Sequence, residues 1–262
     1  SYDRSDAMSV DNVHAATLEI VPGPIPFYTG YLRRSHTACY LVTEQGRAAL
    51  VDTGVVHSVP VILEALAASG LDRSAVDWVI PTHVHLDHAG GAGPLMQALP
   101  EARLGVHPSG VDHLVDPGRL EAGVRALYGD AFFDREYAPL VPVDPTRIVA
   151  LEDGAMVARR KELQVIHTPG HAWHHLSLLD ADRSVFIAGD AFGAGYPGYA
   201  EGAAPFLVPV VPPPQFDPDA YRQTLERIRD IDPRYVAPAH FPLIEAPRAA
   251  ADRLQTLLDA AV

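Results

Sequence analysis

The segment at residues 82–91, THVHLDHAGG, constrains this chain more than any other feature of its sequence. An apolar run at 76–80 precedes it and predicts a buried strand that stops at Pro81, and the residues from about 92 to 99 predict a helix. A polar segment between a strand and a helix lies where an α/β sheet presents its ligands. The segment is therefore the first candidate for a functional site.

The spacing HxHxDH within this segment suits metal binding. His83 and His85 are two residues apart on an extended segment, so their side chains project to the same side. Asp87 and His88 lie on the turn into the helix and can reach a second point nearby. Three imidazoles and a carboxylate suit zinc, iron, manganese or cobalt. With 13 histidines in the chain, the pattern is expected by chance in roughly fewer than one chain in a hundred, so a purely structural role is the weaker interpretation.

The pattern HxHxDH resembles the signature of the metallo-β-lactamase superfamily, and four more segments match that family's pattern in the same order. A strand that ends in Asp52 precedes the motif. The sequence Thr-Pro-Gly-His ends at His171, a later strand leads to Asp190, and a last strand leads to His240. The resemblance covers residues 51–240 and is closer to the glyoxalase II and lactonase branches than to the true β-lactamases.

The resemblance implies a centre of two divalent metal ions, with zinc favoured and iron or manganese as alternatives. The implied ligands are His83, His85 and His171 for the first ion, Asp87, His88 and His240 for the second, and Asp190 as a bridge. We expect these side chains to surround two metal positions ~3.5 to 4 Å apart. Catalysis is assigned to Asp87, His171 and Asp190 through a metal-bridging hydroxide, because a bound metal lowers the pKa of water to about 7.

Other residues are candidates for support of the ligands or contact with the substrate. Asp52 is implied to hold the motif loop through hydrogen bonds rather than to bind metal. Five further residues could orient a ligand or face the substrate, and each has packing as its alternative role. These five are His36, His174, His175, Tyr196 and Tyr199.

The resemblance implies a four-layer αββα sandwich, in which two mixed sheets are flanked by helices, whereas periodicity alone predicts only an α/β chain. Residues 1–262 are predicted to form a single metallo-β-lactamase-like domain, with 107–150 and 193–218 as substrate-facing insertions. Whether residues 1–8 are an added expression leader, and whether a signal segment was removed, is left open. Periodicity predicts strands at 17–21, 39–43, 48–51, 103–106, 163–167, 176–179, 184–188 and 235–237, and helices at 59–69, 118–128, 220–230 and 248–261.

Composition and charge disfavour several kinds of partner. No apolar run approaches the ~20 residues that span a membrane, so we expect a soluble protein. The formal net charge of -13 repels phosphate backbones and disfavours nucleic-acid binding. Cys39 is the only cysteine, which excludes an intrachain disulfide, and its apolar neighbours predict a buried core residue. A cytoplasmic location and a small-molecule substrate are predicted, and a homodimer is compatible with the sequence.

The resemblance implies a metal-dependent hydrolase that acts on a small ester, thioester or lactone. A β-lactamase is disfavoured, because true β-lactamases generally lack an aspartate at the position of Asp190. A phosphodiesterase is the next alternative. Two further alternatives are a mononuclear iron dioxygenase of the persulfide type and a non-catalytic metal-binding protein. Metal analysis separates the dioxygenase from a hydrolase.

Overall fold

The computed structural model describes residues 25–29, 31, 36–157, 163–195, 206–212, 215–240 and 243–261. The chain divides into two compact units, Ser1–Ala150 and Leu151–Val262, each of which has its own sheet. The strand predicted at 17–21 lies outside the described residues. The prediction of a single domain stays a prediction.

The first unit contains one mixed six-stranded sheet whose strand order follows the sequence. Its strands are β1 (Ile25–Tyr28), β2 (Ala38–Glu44), β3 (Arg47–Val51), β4 (Val76–Ile80), β5 (Arg103–Val106) and β6 (Ile148–Ala150). Neighbours are antiparallel from β1 to β3 and parallel from β3 to β6. Its helices are α1 (Val59–Ala68), α2 (Leu86–Ala89), α3 (Ala92–Ala98), α4 (Val111–Val115), α5 (Gly118–Tyr128) and α6 (Asp130–Glu136).

Local sequence explains the early elements of this unit. Gln45 and Gly46 join β2 to β3, and both have positive φ (46° and 78°), as a two-residue hairpin turn requires. Ile62 of α1 and Leu95 of α3 are fully buried in the same apolar cluster as residues of the sheet. Cys39 is fully buried there, and burial raises the pKa of its thiol, so its predicted core role is confirmed.

The second unit contains another mixed six-stranded sheet. Its elements are β7 (Met156–Val157), β8 (Leu163–His167), β9 (Leu176–Asp180), β10 (Val185–Gly189), β11 (Ala194–Gly195), β12 (Leu207–Val208), α7 (Pro218–Ile231), β13 (Tyr235–Pro238), β14 (Ile244–Glu245) and α8 (Arg248–Ala261). The sheet order is β14-β13-β10-β9-β8-β7, and only the β10–β13 pair of this described sheet is parallel. Strands β11 and β12 pair separately.

Helices α7 and α8 cover one apolar cluster of the second sheet. Tyr221 of α7 and Leu254 of α8 are fully buried together with Phe186 of β10. Asp217 caps the N-terminus of α7, and its side chain accepts hydrogen bonds from the backbone N–H groups of the second and third helical residues, both at 3.0 Å. Aspartate is among the residues favoured at this capping position. Among the described helices, none is long and apolar enough to cross a membrane.

The segment 107–150 contains more regular structure than its sequence indicates. It holds α4, α5 and α6, and it ends in the edge strand β6, which periodicity did not predict. Strand β6 is only three residues long and partly exposed, so its sequence carries no alternating pattern to detect. The substrate-facing roles of 107–150 and 193–218 stay predictions.

Candidate metal centre

In the first unit, the parallel strands β3 and β4 end side by side, and polar residues follow both ends. The backbone N–H of Asp52, directly after β3, donates to the carbonyl of Ile80, the last residue of β4 (3.0 Å). The Oδ1 atom of Asp52 accepts from the backbone N–H of Thr82 (2.7 Å) and from its hydroxyl (2.9 Å). Asp52 has a φ of 62°, a conformation that is uncommon outside glycine and that these bonds hold in place.

Asp52 and Thr82 orient two histidines of the HxHxDH segment. The Nδ1 atom of His88 lies 2.9 Å from Oδ2 of Asp52, and because a carboxylate only accepts, this nitrogen carries the proton and Nε2 is the ligand atom. The Nδ1 atom of His83 lies 3.1 Å from the hydroxyl oxygen of Thr82, whose proton is given to Asp52. That oxygen therefore accepts from Nδ1–H of His83, and Nε2 of His83 is its ligand atom.

The donor atoms of the segment converge. The Nε2 atom of His83 lies 2.9 Å from Nδ1 of His85, a separation at which two nitrogens share either a proton or a cation. The rings of His83 and His88 have centroids 4.2 Å apart, and Nε2 of His88 lies 3.4 Å from Oδ2 of Asp87. His83 and His88 are fully buried, whereas His85 and Asp87 are partly exposed. The first unit therefore presents buried donors with an open side.

The second unit repeats this construction at its parallel strand pair. Asp190 follows β10 and His240 follows β13, and the backbone N–H of Ala239 donates to the carbonyl of Gly189 at 3.0 Å. The Oδ1 atom of Asp190 lies 3.3 Å from Nε2 of His240, and Oδ2 lies 3.4 Å from Nε2 of His171. The two oxygens of one buried carboxylate thus face two different histidines.

The loop that carries His171 is attached to α7. The carbonyl of Pro169 accepts from the hydroxyl of Thr224 (2.7 Å), and the carbonyl of Gly170 accepts from the backbone N–H of Asp217 (2.8 Å). The Nδ1 atom of His171 lies 3.1 Å from the carbonyl oxygen of Val210. Because a carbonyl only accepts, Nδ1 carries the proton and Nε2 is the ligand atom.

His175 positions the backbone of Asp190. Its Nε2 atom accepts the backbone N–H of Asp190 (3.1 Å), so its Nδ1–H donates to the hydroxyl of Thr168 (2.8 Å). The Thr168 hydroxyl in turn lies 2.8 Å from that of Ser177. Both ring nitrogens of His175 are thus used in holding the strand end that presents Asp190.

Of the remaining candidates from the sequence, His36 and His174 lie among the described residues. His174 is buried, and the ring of His36 stacks on that of Tyr31 with centroids 6.4 Å apart. Tyr196 and Tyr199 lie outside the described residues. Sequence reasoning gave no role to Thr82 or Thr168. Each is a hydroxyl residue within a motif segment, Thr82 directly before His83 and Thr168 three residues before His171, and this position was the available signal.

The residues of each unit fit a metal ion by the chemistry of their donors. Each unit presents imidazole nitrogens and carboxylate oxygens able to act as ligands, and hydrogen bonds to the second nitrogen of His83, His88 and His171 fix the tautomer that leaves Nε2 for a metal. Such a set of nitrogen and oxygen donors suits zinc and iron. The full set of seven ligands stays a prediction.

Comparisons with known proteins identify similar chains. The family model described as the metallo-beta-lactamase superfamily matches residues 32–240. The metallo-beta-lactamase fold-containing protein ST1585 of Sulfurisphaera tokodaii is 26% identical over 224 residues, which cover 84% of this chain and 77% of that protein. The acyl-coenzyme A thioesterase MBLAC2 of Bos taurus is 31% identical over 170 residues, which cover 58% of this chain and 56% of that protein.

Solved structures share the fold. The crystal structure of ST1585 from Sulfolobus tokodaii has a TM-score of 0.72 at 23% sequence identity, covering 89% of this chain and 85% of that chain. The structure of TTHA1623 in a di-iron-bound form has a TM-score of 0.60 at 24% identity, covering 85% and 96%. These likenesses confirm the predicted fold class of two mixed sheets flanked by helices.

Proposed function

This chain belongs to the metallo-β-lactamase superfamily, and on that premise we propose that it is a binuclear metal-dependent hydrolase of small esters, thioesters or lactones. The observation that carries the proposal is the carboxylate of Asp190, whose two oxygens face His171 and His240 at 3.4 and 3.3 Å. A carboxylate with a different histidine beside each of its oxygens could be shared between two metal ions, and it would supply negative charge to both. This arrangement supports two ions rather than one.

We propose that one ion is held by three histidines and the other by an aspartate and two histidines, with Asp190 shared between them. In this proposal, as in the sequence prediction, the first set is His83, His85 and His171, and the second is Asp87, His88 and His240. Zinc is the proposed ion, and iron is its alternative, which the di-iron form of TTHA1623 supports.

Different residues of the chain have different roles in the proposed hydrolysis. When bound, the two ions supply an activated water as nucleophile and polarise the carbonyl oxygen of the substrate. The side chain of Asp87 is 24% exposed and that of Asp190 is 4% exposed. Asp87 is therefore the carboxylate that can exchange a proton with the reacting groups, while Asp190 only holds the centre together. Asp52, Thr82 and His175 keep their neighbours in the orientation that binding requires.

A thioester is the favoured substrate class. The bovine relative MBLAC2 is an acyl-coenzyme A thioesterase, and its match to this chain supports chemistry at an acyl carbonyl. A phosphodiester remains the second class, because the same centre would polarise a phosphoryl oxygen. A homodimer and a cytoplasmic location stay predictions.

Metal quantification paired with a substrate panel tests the proposal. The panel comprises acetyl- and hexanoyl-coenzyme A with thiol detection, p-nitrophenyl acetate, N-hexanoyl homoserine lactone, bis(p-nitrophenyl) phosphate and a chromogenic β-lactam. We expect two ions per chain and hydrolysis of an acyl substrate with kcat/KM above about 10⁴ M⁻¹s⁻¹. A chelator abolishes this activity and zinc restores it. One redox-active iron per chain without hydrolysis of any substrate contradicts the proposal.

The Asp52→Asn variant is expected to bind zinc about 10- to 100-fold more weakly, as loss of a group that orients a ligand typically does. An amide cannot accept from both His88 Nδ1–H and Thr82 with its two terminal atoms, because one of those atoms is a donor. Competition with a chromophoric chelator measures the change. Asp77→Asn, which breaks an ion pair with Arg47, is the control expected to leave zinc affinity unchanged. Equal affinities in both variants would exclude this role for Asp52.

A further inference from the structure

Two tyrosines far apart in the sequence meet in the first unit. Tyr31 lies between β1 and β2, Tyr137 follows α6, and their hydroxyl groups are hydrogen-bonded to each other. Their ring centroids are 5.9 Å apart, and each residue is only 7% exposed. Nothing in the sequence pairs them, since neither belongs to the metal-binding motifs.

The pair lies in an apolar cluster that includes the start of the ligand helix. Tyr31 and Tyr137 pack with Phe133 and with Leu86, the residue directly before the proposed ligand Asp87. Burial, and to a smaller extent the negative charge of Asp87, raises the pKa of both hydroxyls, that of Tyr137 to about 12. Both hydroxyls therefore keep their protons, in a cluster that contains the residue directly before Asp87.

The two hydroxyls carry two protons, and the bond between them uses one. Across the described ranges of the chain, neither hydroxyl oxygen has a further hydrogen-bond partner. A buried hydroxyl proton ordinarily has an acceptor, from the protein, from water or from a ligand. The second proton of this pair is thus a donor, built into a rigid aromatic cluster beside a proposed metal ligand.

We infer that the Tyr31–Tyr137 pair donates a hydrogen bond to the carbonyl oxygen of the acyl substrate. This inference rests on the proposed function, in which that oxygen gains negative charge during attack. The bond between the two hydroxyls polarises the outer O–H group, and apolar surroundings strengthen a bond to a charged oxygen. Either tyrosine can be the outer donor, since the direction of the bond between them is interchangeable.

Phenylalanine substitutions test the inference, because they remove the hydroxyl and keep the ring. Tyr31→Phe and Tyr137→Phe are each expected to lower kcat/KM on the best acyl substrate by about 10- to 100-fold, mainly through kcat, with unchanged metal content. The double variant is expected to lose little more than either single one, because the hydroxyls act as a unit. Tyr235→Phe, at the start of β13, is the control with unchanged kinetics.

A binding measurement separates this inference from the proposed function. The protein is labelled with 3-fluorotyrosine, the Tyr31, Tyr137 and Tyr235 resonances are assigned from the variants, and hexanamide, a neutral acyl mimic, is added. We expect the resonances of Tyr31 and Tyr137 to shift and that of Tyr235 to stay. Shifts without hydrolysis of any panel substrate would leave the tyrosine site standing and overturn only the proposed function. Unmoved resonances in the wild type, or phenylalanine variants with lowered Tm alone, would overturn the inference.

Discussion

The Asp190→Ala variant is expected to lose more than about 1000-fold of kcat/KM and most of its bound metal, while the chain stays folded. Both oxygens of Asp190 face histidines that we propose as ligands of separate ions. Under the proposed assignment, deleting this carboxylate would remove a ligand shared by both ions and one negative charge that balances theirs. The fold does not depend on this side chain, because a separate apolar cluster holds α7 and α8 on the second sheet. Metal analysis, steady-state kinetics and circular dichroism measure the three parts of this expectation.

The variants Asp87→Ala and His171→Ala are expected to behave in the same way, since each removes one proposed ligand. Asp182→Ala is the matched control, because it removes an exposed carboxylate in the turn before β10, at the opposite end of that strand from Asp190. Two bound ions and wild-type activity in Asp190→Ala would refute the bridging role. An unfolded spectrum for the metal-free wild type would show instead that folding itself requires metal.

The positions of the candidate ligands could be predicted from the sequence because strand ends are marked locally. An apolar run followed by a polar residue identifies the end of β3, β4, β10 or β13, and parallel neighbours bring their carboxyl ends together. Asp52 and Thr82, which are 30 residues apart in the sequence, meet in this way. Asp190 and His240 also meet at neighbouring strand ends. The family resemblance indicated which of these residues would bind metal.

The hydrogen bonds that orient the ligands could not be predicted in the same way. The contact between Thr168 and His175, and that between His175 and the backbone of Asp190, depend on where β9 and β10 place their ends in space. The Tyr31–Tyr137 pair depends on how α6 packs, and no periodic pattern encodes a contact between two irregular segments. Sequence patterns predict elements and strand ends, whereas side-chain partners follow from tertiary packing.

A single methyl group added at Gly170 is expected to destabilise the fold strongly. Its φ of 124° lies in a region that other residues rarely adopt, and an added Cβ would lie 2.4 Å from both the Cα and the backbone nitrogen of Tyr221. Those are backbone atoms of α7, so they cannot move aside without shifting the helix. Gly170→Ala is expected to reduce the free energy of unfolding by about 4 kcal/mol or more, and Tm by roughly 10 °C.

The same substitution is expected to weaken metal binding, because Gly170 directly precedes His171 and its carbonyl is bonded to the N–H of Asp217. Gly154→Ala separates backbone strain from the steric clash with α7. Gly154 also has positive φ (81°) but has nothing within 4 Å of an added Cβ. Backbone strain alone should cost that variant about 1–2 kcal/mol and leave metal affinity unchanged. Thermal denaturation of both variants measures the loss of stability, and zinc titration measures the change in metal affinity. If Gly170→Ala were no less stable than Gly154→Ala, the close packing of the His171 loop on α7 would not be what holds that histidine in place.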